Sequence, residues 1–175
     1  MEKIKMGIIG TGVGIRTHLN GFRLNENQCE VVAICGSSLA RSQEFAEKYN
    51  IPLACADYKE LCNNKEIDLV CVTSPNRYHI DAVRYAIEKG KHIICEKPLS
   101  DNIEEVYSLI NAVRGYSHIA VVDHQLRFNP YIQKMREFIA DGTLGSIYSV
   151  RLNQQGMGFT NPNAAWSWSF DGSEG

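Results

Sequence analysis

Three features that mark other protein classes are missing from this chain of 175 residues. No apolar run approaches the length of a membrane-spanning helix. The formal net charge is only −2 and lysine and arginine are not clustered, so the electrostatic signature of nucleic-acid binding is lacking. The six cysteines form no C-x-x-C pair, and no histidine stands at metal-ligand spacing from them. We therefore expect no membrane, no nucleic-acid partner and no metal site.

The cysteines and the start of the chain indicate a compartment. Met1-Glu2-Lys3 leads straight into an apolar strand, so we expect no signal peptide. Cysteines also occur within strand-like apolar runs, where they behave as small hydrophobic residues. Reduced thiols are typical of the cytoplasm. The sequence therefore predicts a cytoplasmic protein with buried, unpaired cysteines.

Short apolar runs alternate with amphipathic segments along the chain. The predicted strands are Ile4–Ile9, Glu30–Cys35, Leu53–Cys55, Asp68–Thr73, Lys91–Cys95 and His118–Val122. The predicted helices are Ile15–Phe22, Leu39–Tyr49, a short helix capped by Asp57 and Glu60, and Arg77–Glu88. A further helix is predicted to open at Asp101 and Glu104 and to end at Gly115. Its predicted buried face consists of Ile103, Val106, Ile110 and Val113. Strands that alternate with helices at this spacing indicate an α/β fold with a doubly wound parallel sheet.

A glycine-rich loop joins the first predicted strand to the first helix. Its residues are Gly10, Thr11, Gly12, Val13, Gly14 and Ile15. Glycines let the chain turn sharply and let a pyrophosphate approach the backbone, and the helix that follows presents free N–H groups to the phosphates. The third glycine of G-x-G-x-x-G is replaced by Ile15, and Gly14 can relieve the helix–strand contact one residue earlier. A plain tight turn is the alternative. With a strand before it and a helix after it, the loop favours a dinucleotide site, and residues 1–122 are interpreted as a Rossmann-type domain.

The end of the second strand bears on the choice between NADP and NAD. An NAD site usually carries an acidic residue there for the ribose 2′-hydroxyl. This chain has Gly36 followed by Ser37 and Ser38, with Arg41 nearby. Hydroxyls and a guanidinium can hold a 2′-phosphate, so the pattern favours NADP. Alternatively, Ser38 only caps the next helix and Arg41 is solvated.

Two further strand ends carry candidate site residues. The fifth strand runs into Glu96-Lys97-Pro98, where a lysine can hydrogen-bond a substrate oxygen; a solvated loop is the alternative. The fourth strand ends at Thr73 in the turn Ser74-Pro75-Asn76, and His79 begins the helix beyond it as a candidate for contact with cofactor or substrate. We interpret His18 and His124 as structural residues; the alternatives are a catalytic role for His18 and contact with substrate for His124, which follows the sixth strand at its carboxyl end.

These motifs together resemble the Gfo/Idh/MocA family of NAD(P)-dependent oxidoreductases. The matching pieces are Gly7-Ile8-Ile9-Gly10-Thr11-Gly12, Thr73-Ser74-Pro75-Asn76 with His79, Gly90-Lys91-His92, Cys95-Glu96-Lys97-Pro98-Leu99, Arg127-Phe128-Asn129-Pro130 and Gly142-Thr143-Leu144-Gly145-Ser146-Ile147. The resemblance implies that Lys97 contacts the nicotinamide ribose and substrate and assists proton transfer. It also implies that Glu96 lies near the nicotinamide, that Ser74, Pro75 and Asn76 border the cofactor, and that the Lys97–Pro98 peptide is cis.

The resemblance further implies hydride transfer between nicotinamide and a hydroxyl-bearing carbon of a sugar, cyclitol or similar polyol. A non-catalytic NAD(P)-binding sensor on the same fold is the alternative.

Residues 123–175 are interpreted, through the same resemblance, as the start of a substrate and oligomerisation domain. A helix is predicted over Phe128–Ala140 and a strand over Ser146–Asn153. Trp166, Trp168 and Phe170 would expose an apolar patch unless a partner covers them. The family's D-x-x-x-H motif, which holds its main acid/base histidine, has no counterpart in the chain. We expect a truncated, inactive fragment of a protein that forms homo-oligomers through its second-domain sheet.

Overall fold

The computed structural model describes residues 2–153 and residue 155. The described part up to Asp123 forms one compact unit, and the described residues from His124 onward form a second. The strands of the first unit are β1 (Ile4–Ile9), β2 (Cys29–Cys35), β3 (Leu53–Cys55), β4 (Leu69–Val72), β5 (His92–Glu96) and β6 (Ala120–Asp123). The helices of the first unit are α1 (Val13–Arg23), α2 (Leu39–Tyr49), α3 (Tyr58–Asn63), α4 (His79–Glu88) and α5 (Ile103–Val113).

All six strands belong to one parallel sheet in the order β3-β2-β1-β4-β5-β6. The chain runs outward from β1 through β2 to β3, and it then returns to the other side of β1 to build β4, β5 and β6. The strand order therefore reverses between β1 and β4, and this is where open α/β sheets bind ligands, outside the carboxyl ends of the strands. The predicted doubly wound Rossmann-type fold is confirmed.

Two apolar layers hold the sheet between its helices. Ile8 and Ile34 have no exposed surface on the face that Ile15 and Leu19 of α1 cover. The other face packs Leu61, Val70 and Ile93 together with residues of α4 and α5. Each fully buried aliphatic side chain contributes about 1.5–3 kcal/mol to folding, so this core fixes the strand ends that form the site.

Helix caps largely follow the sequence signals. Ser38 caps α2 and Asp57 caps α3 through side-chain oxygens that accept backbone N–H groups. The prediction that Asp101 opens α5 is wrong, because Asn102 is the cap and its side chain accepts from Glu104 and Glu105. Helix α4 also begins later than predicted, since Asn76–Tyr78 form a 3-10 turn first.

The predicted buried face of α5 is wrong in part. Ile103 and Ile110 are 57% and 44% exposed, and Leu109 is the buried residue of this helix. A hollow of about 290 Å³ lies between this helix and the strands β5 and β6, of which β6 is at the edge of the sheet. At the edge of a sheet a helix has fewer neighbours, so an apolar stripe need not be enclosed.

The second unit contains a 3-10 turn, Gln125–Phe128, and the helix α6, Pro130–Ala140. Helix α6 starts two residues after the predicted Phe128, because Asn129 caps it and Pro130 occupies its first turn. The predicted strand Ser146–Asn153 is wrong: these residues form no regular element. Alternation alone does not make a strand, which needs a partner for its backbone hydrogen bonds. The predicted patch around Trp166 falls outside the described residues.

All six cysteines are free, as predicted, and Cys29 alone among them is not buried. Burial raises the pKa of Cys35 and Cys62 to about 12, so these thiols stay protonated and unreactive near neutral pH. Across the part of the chain that the structure describes, no helix has both the length and the apolar character needed to cross a membrane.

Candidate functional site

The glycine loop lies against the carboxyl end of β4. Gly10 has φ +119°, and a Cβ at this position would lie 2.6 Å from the carbonyl carbon and oxygen of Thr73. A Cβ on Gly14 would lie 2.8 Å from Cβ of Thr73. Both glycines are therefore required for close packing of the loop and α1 on β4. Gly14, and not the residue after it, makes the close helix–strand contact, because Ile15 is a fully buried core residue.

Gly12 differs from these two glycines. It is the N-cap of α1, no side chain accepts a hydrogen bond there, and a Cβ would have no atom within 4 Å. The first N–H groups of α1, which begins at Val13, therefore have no side-chain cap, and the positive end of the helix dipole lies at the same place. This arrangement can bind an anion such as a phosphate.

The end of β4 is tied to the end of β1 and leaves one polar group unused. The backbone N–H of Thr73 donates to the carbonyl of Ile9 at 2.7 Å, and the Thr73 hydroxyl donates to the same oxygen at 3.2 Å. Among the described residues, the buried hydroxyl of Ser74 has no hydrogen-bond partner. An unpaired buried hydroxyl is costly, so Ser74 fits a ligand that enters this crevice. Pro75 and Asn76 continue the turn and are half-buried.

His79 joins the two loops that follow β4 and β5. Its ring is only 1% exposed, with Nε2 2.7 Å from the carbonyl oxygen of Ser74 and Nδ1 2.8 Å from that of Pro98. Both neighbours are carbonyl oxygens, which only accept hydrogen bonds, and both lie within hydrogen-bond distance of the ring. The ring therefore positions the Ser74 turn and the Pro98 loop, while its predicted contact with cofactor or substrate stays a prediction.

The segment after β5 presents a lysine to solvent. The Lys97–Pro98 peptide is cis, as predicted. Lys97 is exposed, and its ammonium has no partner in the described part of the chain. Its backbone N–H donates to Oε2 of Glu96 at 3.1 Å. The ammonium is thus free to donate to a substrate oxygen.

Sequence reasoning missed the functional environment of Glu96. Nε2 of His18 lies 2.9 Å from Oε1 of Glu96 and 3.6 Å from Oδ2 of Asp123. Asp123 occupies the end of β6 and is the register partner of Glu96. Asp123 could have been identified from the sequence, because it stands at the carboxyl end of a predicted strand. The same argument identified Glu96. The potential ligand atoms of His18, Glu96 and Asp123 all lie within 4.8 Å of one another, a spacing that is also found in metal sites. The expectation that the protein has no metal site therefore stays a prediction.

A buried serine holds the turn that follows β2. The buried hydroxyl of Ser42 accepts from the N–H of Gly36 at 2.8 Å and donates to the carbonyl of Ser38 at 3.0 Å. Ser37 and Ser38 are exposed, and Ser38 serves as the helix cap that was the alternative reading. A Cβ on Gly36 would lie 3.0 Å from Cγ2 of Thr11, so the loops after β1 and β2 are in close contact.

Arg41 is less free than the sequence implied. Its Nη1 lies 2.7 Å from Oε2 of Glu44, and its guanidinium lies 4.3 Å from the centre of the Phe45 ring. A 2′-phosphate at this position would compete with Glu44 for the guanidinium. The structure therefore gives Arg41 a partner in the absence of any cofactor.

Comparisons with known proteins show to which family the chain belongs. Residues 4–124 match the family model of the Gfo/Idh/MocA oxidoreductases, described as an oxidoreductase family with an NAD-binding Rossmann fold. D-glucoside 3-dehydrogenase of Escherichia coli K12 is 33% identical over 146 residues, which cover 83% of this chain and 41% of that protein. Trans-1,2-dihydrobenzene-1,2-diol dehydrogenase of Bos taurus is 29% identical over 167 residues, which cover 95% of this chain and 50% of that protein.

A solved structure shows the same likeness. The crystal structure of an NAD-binding oxidoreductase from Klebsiella pneumoniae superposes with a TM-score of 0.78 at 27% identity, covering 82% of this chain and 40% of that one. The chain thus spans half or less of the length of these relatives. Because the family model covers more than half of the chain, including every strand of the sheet, the chain belongs to the Gfo/Idh/MocA oxidoreductase family.

Proposed function

We propose that this chain is the cofactor-binding part of an NAD(P)-dependent dehydrogenase that moves a hydride between nicotinamide and a hydroxyl-bearing carbon of a sugar, cyclitol or similar polyol. The crevice between β1 and β4 carries the proposal, because it combines the open anion site at Gly12 with the unpaired, buried hydroxyl of Ser74. The relatives named above are dehydrogenases of a glucoside and of a diol, which supports a hydroxyl-bearing substrate.

In this proposal the cofactor lies across the carboxyl ends of the strands, with its pyrophosphate at the N-terminus of α1. The proposed cofactor-binding residues are Gly10, Thr11, Gly12, Val13, Gly14, Ile15, Ser37, Ser38, Arg41, Thr73, Ser74, Pro75, Asn76, His79, Glu96 and Lys97. Ile15 takes part only through its backbone, since its side chain is in the core. His79 takes part by fixing the Ser74 turn.

The nicotinamide cofactor, when bound, supplies or accepts the hydride. Lys97 is the proposed catalytic residue of this chain: its exposed ammonium would donate a hydrogen bond to the substrate oxygen and polarise the carbon that bears it. Glu96 holds the Lys97 backbone in place through Oε2. An ammonium group donates protons and does not accept them, so oxidation of an alcohol needs a separate base.

We also propose that the unit beginning at His124 belongs to a substrate and oligomerisation domain, whose predicted start is residue 123. A small-molecule polyol and further copies of the protein are the proposed partners. A cytoplasmic location is supported by the six unpaired cysteines.

The 175-residue chain is expected to bind nicotinamide cofactor without turning over polyols. A well-placed base contributes typically about 10²–10⁴-fold to such a reaction. Glu96, the carboxylate that precedes Lys97, is hydrogen-bonded to His18 and to the Lys97 N–H, so neither Glu96 nor His18 is free to take the hydroxyl proton. Calorimetric titration with NAD⁺, NADH, NADP⁺ and NADPH measures binding, and reduced-nicotinamide absorbance over a panel of polyols measures turnover. Failure to bind any of the four forms would overturn the proposal. Polyol-dependent turnover by the chain would show that it holds its own base, and Lys97→Ala would then test the role of Lys97.

The choice between NADP(H) and NAD(H) depends on whether Arg41 leaves its ion pair with Glu44 to bind a 2′-phosphate. If it does, Arg41→Ala is expected to weaken NADP(H) binding by about fivefold, the order of one exposed charge-assisted hydrogen bond, and to leave NAD(H) binding unchanged. Glu44→Gln is expected to strengthen NADP(H) binding, because it frees the guanidinium from its ion pair. The four dissociation constants of each variant provide the measurement. Tighter binding of NAD(H) than of NADP(H) by the unaltered chain would reject the NADP preference.

A further inference from the structure

Two carboxylates lie side by side at the carboxyl ends of β5 and β6. Glu96 and Asp123 are register partners on the adjacent parallel strands β5 and β6, so their side chains leave the sheet on the same face. Both are half-buried, with side chains 19% and 22% exposed. Like charges directly opposite each other on neighbouring strands are destabilising, so this pair is costly to the fold.

The surroundings compensate the pair only in part. His18, from α1, is the basic side chain that reaches both carboxylates, at 2.9 Å from Glu96 and 3.6 Å from Asp123. The buried thiol of Cys71, in the apolar layer that α1 covers, is uncharged because burial, followed by the charges of neighbouring groups that include Asp123 and Glu96, raises its pKa. Lys97 follows Glu96 in the chain, and its side chain extends into solvent. Two negative charges therefore face at most one positive charge at this position.

The fold determines which part of a dinucleotide meets the cluster. The pyrophosphate binds at the N-terminus of α1, and the adenosine ribose binds at the end of β2. The remaining half of the cofactor must then extend over the ends of β4, β5 and β6, on the opposite side of the switch point. The unpaired hydroxyl of Ser74, at the end of β4, is independent evidence that a ligand enters there.

The nicotinamide ring carries one positive charge when oxidised and none when reduced. We infer that Glu96 and Asp123, with His18 between them, act as a counter-charge that makes this chain bind oxidised cofactor more tightly, relative to reduced cofactor, than it otherwise would. The inference rests on the proposed function in that it requires a nicotinamide cofactor in the crevice. It assigns Asp123 and His18 a role in setting the redox preference of the bound cofactor.

The test compares the dissociation constants of oxidised and reduced cofactor for the chain and for Asp123→Asn, by calorimetry and by quenching of protein fluorescence. Loss of one partly buried charge near the ring is expected to weaken binding of the oxidised form by about fivefold and to change that of the reduced form by less than about twofold. Glu88→Gln is the matched control: it removes one negative charge from the exposed end of α4, and both constants should stay unchanged. The effect of Asp123→Asn should shrink in high salt.

A second variant covers the case in which Asp123→Asn does not fold. Glu96→Gln removes the other carboxylate but retains an acceptor for the Lys97 N–H, and it is expected to shift the two constants in the same direction. Equal weakening of both cofactor forms in a folded variant, or no change in either, would overturn the counter-charge role and leave the proposed function standing. Absence of binding of either form by the unaltered chain would reject the proposed function itself.

Discussion

Gly12→Ala is expected to remove most cofactor affinity and to leave folding intact. Gly12 has φ −83° and ψ −151°, an extended conformation open to any residue, and its Cβ would have no atom within 4 Å. The unfolding free energy should therefore change by less than about 0.5 kcal/mol. In the proposed function, the same Cβ would occupy the space through which the pyrophosphate reaches the N–H groups of α1. Loss of one or two charge-assisted hydrogen bonds corresponds to about 2–3 kcal/mol, or roughly 30- to 150-fold in the dissociation constant.

Gly21→Ala serves as the matched control for this change. Gly21 lies on the exposed surface of the same helix and also has no atom within 4 Å of an added Cβ. Alanine in a helix interior should stabilise the protein by about 0.5–1 kcal/mol and leave cofactor affinity unchanged. Calorimetric titration and urea unfolding of both variants provide the measurements. Retention of full cofactor affinity by Gly12→Ala would place the phosphates elsewhere.

Gly10→Ala is expected to do the opposite and to damage the fold itself. The residue has φ +119°, which alanine rarely adopts, and its Cβ would lie 2.6 Å from backbone atoms of Thr73. Those atoms cannot move away without breaking the hydrogen bonds from Thr73 to Ile9 that join β4 to β1. Backbone strain together with overpacking suggests a loss of about 3–5 kcal/mol, a large part of the stability of a typical domain.

The midpoint of urea unfolding, followed by circular dichroism, measures this loss. Gly12→Ala is the control, because it makes the same chemical change two residues away in open space. A Gly10→Ala variant that unfolds within about 0.5 kcal/mol of the unaltered chain would show that the loop can adopt another path. The two variants together separate what the loop does for the fold from what it does for the ligand.

Much of the fold follows from local patterns. The bounds of β1, α2 and β3 agree with the predicted ones, because short apolar runs and a capped amphipathic helix are local signals. The spacing of Gly10, Gly12 and Gly14 likewise identified the loop after β1. In the structure, Gly10 and Gly14 allow close packing on β4, whereas Gly12 borders open space. The errors arose where tertiary neighbours decide: burial along α5 depends on what covers it, and Ser146–Asn153 had the alternation of a strand without a described pairing partner.

The candidate site was only partly accessible to sequence reasoning. Glu96 and Lys97 stand at the end of an evident strand. His18 and Asp123 join Glu96 only in three dimensions, since His18 precedes Glu96 by 78 positions. The use of both ring nitrogens of His79 by backbone carbonyls also has no local signal. Such contacts depend on strand order and register, which a single sequence does not specify residue by residue.

The hydroxyl of Ser42 has a consequence for how this protein can diverge. By binding Gly36 and Ser38 from the interior, it holds the turn after β2 in shape without help from the side chain of Ser37. Ser37 is exposed, so it can be exchanged with little effect on the backbone beneath it, whereas the stem of Arg41 lies close to Gly36. Under the proposed function, a lineage that carries this turn can therefore alter its adenosine-ribose preference by surface substitutions, while replacement of Ser42 would disturb the turn itself.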